Sequence, residues 1–109
     1  MLKAAASGLP DVIEATSYGT PALKAGKKLM ARVKDADTVV LMCPLEEKQL
    51  LLEVAPETYF ETDHYKGWPA VLVRIHKIPA DELRHRIEQA WTRQAPRKLV
   101  AARRASQAR

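Results

Sequence analysis

Asp63, His64, Tyr65, Lys66 and Trp68 crowd into the stretch DHYKGWP, and these residue types can move protons, carry charge or stack. An Asp–His pair with a distant hydroxyl such as Ser17 suggests nucleophilic catalysis. Adjacent Asp and His need a special loop to hydrogen-bond productively, and nothing in the spacing supplies one. Cys43 is the other nucleophile to weigh. It directly precedes a helix start, where the N-terminal dipole lowers a thiol pKa. A single cysteine at a strand end is more often a buried small residue. The histidines His64, His76 and His85 share no HxxxH, CxxC or paired-carboxylate spacing, so no metal set forms. His85 falls on the polar side of its helix and reads as a surface residue. Glycines are scattered and build no phosphate loop. The reading is of a protein without catalytic residues, cofactor or metal.

The elements that position these residues follow from periodicity. Leu2, Ala5, Ala6 and Leu9 have helical spacing, ended by Pro10 and Asp11. Tyr18-Gly19-Thr20-Pro21 is a turn and Leu23–Ala25 a short strand. Gly26-Lys27 is a hairpin turn. Lys28 to Lys34 alternates, with Leu29, Ala31 and Val33 on one face and Lys28, Met30, Arg32 and Lys34 on the other. Thr38 to Met42 is a further strand. Pro44 opens a helix with Leu45, Leu51, Leu52, Val54 and Ala55 on one broad side, and Pro56 stops it. Tyr59–Glu61 is a short edge strand. Pro69 to His76 is the clearest strand, with Val71, Val73 and Ile75 facing one way and Leu72, Arg74 and His76 the other. Pro79 opens the last long helix, where Leu83, Ile87, Ala90 and Trp91 make an amphipathic stripe. Pro96 breaks it, and RKLVAARRA adds a short helix. Antiparallel hairpins flanked by helices give an α+β fold, with helices covering one sheet face.

At 109 residues the chain has room for one core. We assign residues 1–96 to a single α+β domain and 97–109 to a basic helical extension. Cys43 is the only cysteine, so no internal disulfide forms, which fits a cytoplasmic setting. No targeting segment is visible, and the apolar runs fall far short of the roughly 20 residues that span a bilayer. The charge is unevenly placed. The chain has 18 basic and 13 acidic residues. Arg97, Lys98, Arg103, Arg104 and Arg109 in the tail leave 13 basic against 13 acidic residues in the body, so the tail holds the whole +5 excess.

If the strands pair as read, the sheet face away from the helices shows Lys24, Lys28, Met30, Arg32, Lys34, Leu72, Arg74 and His76. Its strand cores carry no acid. Such a face serves either as a solvated surface that blocks edge pairing or as a binding surface. Tyr59 and Phe60 read as packing residues. Tyr65 and Trp68 read equally as packing anchors or as stacking platforms.

The pieces SYGTPALKAGKKLMARV, HYKGWPAVLVRI and DELRHRIEQAWTRQAPRKL together resemble the MmcQ/YjbR family of small bacterial proteins. The resemblance runs from about Leu9 to about Leu99. It implies an antiparallel sheet covered on one side by helices, similar to frataxin-like domains, and DNA binding through a double-wing arrangement. The acidic first-helix surface that would bind iron is missing from this sequence. The resulting expectation is a non-enzymatic cytoplasmic protein with no membrane or metal partner. It binds double-stranded DNA through phosphate contacts from Lys24, Lys28, Arg32, Lys34, Lys66 and Arg74, with Arg97, Lys98, Arg103 and Arg104 of the tail adding to them. The alternative is that the same face, with Met30 and Leu72 between its charges, binds a protein or peptide.

Overall fold

Gly26 takes a φ of 60°, a left-handed backbone that glycine adopts without strain, and so closes the β-hairpin that the sequence implies. In the computed structural model, which describes residues 9, 12–17, 19–95 and 97–107, that hairpin is the centre of an antiparallel meander. The strands are β1 (Val12–Ser17), β2 (Thr20–Ala25), β3 (Lys28–Asp35) and β4 (Thr38–Met42). Helix α1 (Leu45–Val54) leads to β5 (Tyr59–Phe60), a 3-10 turn at Asp63–Tyr65, and β6 (Ala70–Arg74). Helices α2 (Ala80–Gln94) and α3 (Arg97–Gln107) complete the chain. All the strands join one six-stranded sheet in the order β1-β2-β3-β4-β6-β5, every pair antiparallel. This is the expected α+β arrangement. The expected first helix, Leu2 to Leu9, lies outside the described residues except for Leu9, which packs against the main core. The sequence reading assigns no element to Val12–Ala15, although the β-branched residues Val12, Ile13 and Thr16 are a strand signal.

The main core lies between the sheet and the helices. Leu23, Ala31, Val39, Leu41, Val71 and Val73 share it with Leu51 of α1 and with Leu83, Ile87, Ala90 and Trp91 of α2. The α2 stripe is the expected one, and α2 packs on β3 and β4 while α1 packs on β5 and β6. Helix α1 departs from expectation. Leu45 and Val54 are exposed, and the buried side chains of this helix are Lys48 and Leu51.

Two irregularities re-aim β3. Leu23 pairs with Ala31 and Lys24 pairs with Leu29, so Met30 is an extra residue opposite the β2 step. A bulge places two successive side chains on one side of a sheet. Met30 therefore joins Ala31 in the main core, fully buried, instead of lying on the outer face. Leu29 moves to the face of Lys24, and Lys28 pairs with Ala25 on the helix side. A second shift between Val33 and Asp35 leaves Lys34 as the extra residue opposite β4. A strict period of two cannot anticipate either step, because an inserted residue reverses the alternation beyond it.

Candidate nucleic-acid interface

The register divides the expected basic face. Lys24, Arg32 and Arg74 share the side away from the helices, with Val40, Met42 and Leu72 between them. Lys28 does not join them, and Lys34 sits exposed at the second bulge, 3.9 Å from Asp35. The tips at Gly26-Lys27 and Ala36-Asp37 lie at opposite ends of β3, as successive hairpins of a meander must. They do not form a pair of wings at one end of the sheet.

This face is also only half open. Residues 61–69, here the aromatic loop, bring Tyr65 onto it. Phe60 and Tyr65 pack on Val40, Ala70 and Leu72, with Met42, in a second small apolar cluster. Arg32 donates from Nη2 to the Tyr65 hydroxyl at 2.7 Å. Arg74 stacks its guanidinium on Phe60, 4.1 Å from the ring centroid, and donates to the carbonyls of Pro56 at 2.9 Å and Glu57 at 3.3 Å. The strand ends at Arg74, so His76 lies beyond it, 3.0 Å from Asp37. Arg74, expected to meet phosphate, is occupied in closing the turn before β5.

The aromatic loop is held by a residue that the sequence reading passes over. Lys48 of α1 is 3% exposed. Its ammonium donates to the carbonyls of Tyr65 at 2.6 Å and Trp68 at 3.0 Å and pairs with Glu61 at 2.9 Å. All three donors of the ammonium are thereby satisfied, which offsets the cost of burying it. The backbone N–H of Cys43 donates to the Pro69 carbonyl at 3.0 Å and ties down the far end. The signal was present: Lys48 stands three residues before Leu51 on the inward side of α1, where an apolar residue is the norm. Within the loop, Gly67 takes a φ of 76°, and Trp68 is left 59% exposed with its ring 6.5 Å from that of Tyr65 in an edge-on pair. Lys66 is exposed and lies 4.0 Å from Asp63.

The groups suited to catalysis are not gathered. Ser17 lies on β1 at one edge of the sheet, while Asp63 and His64 follow β5 at the other. Burial, reinforced by the nearby Glu47 carboxylate, pushes the Cys43 thiol up to about 11, so it stays protonated at neutral pH. Burial and a hydrogen bond to Glu82 push the Tyr59 hydroxyl up to about 12. Under the helices, Arg86 donates to Glu47 at 3.1 Å, and Arg93 lies 3.0 Å from the other Glu47 oxygen as a charge contact. These pairs tie α2 to α1. A half-open pocket of about 190 Å³ beside them is lined by Met42, Cys43, Pro44, Pro69, Ala90, Arg93 and Gln94. Among the described residues, no group of three or more His, Cys, Asp and Glu could hold a metal ion, and no helix is long and apolar enough to cross a membrane.

Arg97–Gln107 of the tail form α3. Val100 is buried in the main core and Leu99 packs against it, while Arg97 and Lys98 are exposed. Arg103 and Arg104 belong to the same helix, their side chains outside the described residues, as is Arg109.

A family model described as YjbR matches residues 7–93. The chain belongs to the YjbR family. Its YjbR region takes in the whole sheet, α1, the aromatic loop and most of α2, and stops short of α3. The uncharacterized proteins Rv2570 of Mycobacterium tuberculosis and Mb2600 of Mycobacterium bovis are each 46% identical over 55 residues, covering 50% of this chain. That matched segment is 43% of each relative's own length. No solved structure matches the chain at a significant level.

Proposed function

We propose that this YjbR protein is a non-enzymatic DNA-binding protein that meets double-stranded DNA mainly through α3. The observation that carries the reading is the placement of charge: the +5 excess resides in the segment from Arg97 onward, which holds no acid. Within it, Arg97–Gln107 form a helix docked through Leu99 and Val100, on which Arg97 and Lys98 are exposed. Lys24, half-buried on the sheet face away from the helices, and Lys66, beside Asp63, add weaker charge. Contacts of this kind attach to phosphates and carry no sequence information. A cytoplasmic setting fits the single buried cysteine.

Fluorescence anisotropy with labelled duplex DNA across a salt series tests the reading. Affinity should fall with salt at a log–log slope near −0.9 for each phosphate neutralised. Arg97→Glu with Lys98→Glu should weaken binding and flatten that slope. Absence of binding at low salt would overturn it.

A second reading, a protein-interaction module, is favoured by Leu50 and Val54, which stand one turn apart on the outer side of α1 at 58% and 71% exposure. Neighbouring exposed apolar side chains of this kind are common at protein contacts. Leu50→Glu with Val54→Glu should then abolish cross-linking to a partner without changing DNA affinity.

A further inference from the structure

We propose that the chain pairs with a second copy of itself, the outer side of α1 in one copy docking antiparallel on the outer side of α3 in the other. The proposal rests on the protein-interaction reading above and names its partner. On α1, Glu46, Leu50 and Val54 follow one another at helical i, i+4 spacing, and Glu53 stands i+3 from Leu50, so they share a side. All of them are exposed. Their inward flank is Glu47, already paired with Arg86 and Arg93. On α3, Arg97 with Ala101 and Lys98 with Ala102 have the same i, i+4 spacing and are exposed, while Leu99 and Val100 turn to the core. Among the described residues, Glu46, Glu53, Arg97 and Lys98 make no ion pair.

Both helices carry charge at the end that their own dipoles disfavour. Glu53 lies in the last turn of α1, which has no base, and Arg97 and Lys98 lie in the first turn of α3, which has no acid. A helix dipole favours cations at its C-terminal end and anions at its N-terminal end. Antiparallel docking between copies brings Glu53 of one α1 beside Arg97 and Lys98 of the other α3, and it opposes the two dipoles. Leu50 then lies over Ala101, a side chain small enough for close helix approach, and Val54 over the aliphatic stem of Lys98. Glu46 lies toward the later turns of α3, a segment without acid. A two-fold axis lets each copy give its α1 and receive the other's, so the contact forms twice and closes as a dimer. The dimer covers cations assigned above to DNA, so DNA affinity is measured below the concentration at which the chain dimerises.

Sedimentation equilibrium of the full chain, from micromolar to millimolar concentration, tests the contact. The mass should rise from monomer to dimer, and added salt should oppose the rise. Glu53→Arg should weaken dimerisation about tenfold. Arg97→Glu with Lys98→Glu should do the same, with the circular dichroism spectrum retained in both variants. Mixing these two variants exchanges the charges across each contact, so a heterodimer should form near the wild-type affinity. A chain that stays monomeric, a dimer indifferent to both variants, or a mixture that does not associate where the wild type does, would each overturn the proposal. A monomeric chain that still cross-links to a different protein through Leu50 and Val54 would overturn it and leave the protein-interaction reading standing.

Discussion

On the helix side of the sheet, Val39, Leu41, Val71 and Val73 share one continuous core with Leu51, Leu83, Ile87 and Trp91. On the other side, Val40, Ala70 and Leu72 meet Phe60, Tyr65 and Met42. The first contact is closed by apolar area, which is non-directional and tolerates small shifts. The second is small and is secured by directed polar contacts: the Lys48 ammonium on two carbonyls and Glu61, and the Arg32 guanidinium on Tyr65. Arg32 and Tyr65 meet on this second side, whereas the exposed Arg97 and Lys98 of α3 and Leu50 and Val54 of α1 belong to the helices. We predict that the helix-packed face sets whether the chain folds and that the polar-clamped face opens or is altered with the fold intact.

The sharpest way to break that contrast is to remove core volume. Trp91→Ala should destabilise the fold by about 3–5 kcal/mol, a large share of a small domain's stability, measured by urea denaturation. Lys48→Met strips the clamp: the Trp68 carbonyl and Glu61 lose the ammonium, while the Tyr65 carbonyl keeps the Trp68 N–H. The expected cost is about 1–3 kcal/mol, with protease cleavage appearing in the aromatic loop and the circular dichroism spectrum retained. Tyr65→Phe removes one hydrogen bond to Arg32 and keeps the ring packing. It should cost about 1 kcal/mol and leave cleavage confined to the same loop.

A further effect is one of pH and belongs to the helix side. Cys43 and Tyr59 hold their protons to about 11 and 12 in the folded chain, above their ordinary values of 9.0 and 10.0. The folded state therefore binds more protons than the unfolded state across that interval. The stabilisation is complete below about pH 9 and is lost as pH rises through about 12. The melting temperature should decline over this range, and Cys43→Ala should flatten its lower part, between about pH 9 and 11.

Legibility in the sequence followed the same division. The α2 stripe of Leu83, Ile87, Ala90 and Trp91 was readable because burial against a sheet imposes helical periodicity on apolar residues. The strands Thr38–Met42 and Ala70–Arg74 announced themselves by runs of branched residues. The outer face was misread at β3, where the bulge at Met30 turned Lys28 away and drew Met30 inward. Arg74 looked free because its partners are backbone carbonyls, which leave no mark in a sequence. Lys48 was hidden for the same reason: two of its three acceptors are peptide oxygens on a loop distant in the chain.

Native-state hydrogen exchange compares the two sides directly. The Tyr65 and Trp68 amides are hydrogen-bonded within the aromatic loop, to the carbonyls of Thr62 and Tyr65, while Val71 and Val73 lie on a strand paired on both sides. The loop amides should exchange through a local opening, several kcal/mol below global unfolding and nearly insensitive to low denaturant. The Val71 and Val73 amides should exchange with the global free energy. Loop amides that exchange only with global unfolding, at the same free energy and denaturant dependence as the strand, would contradict the separation of the two faces.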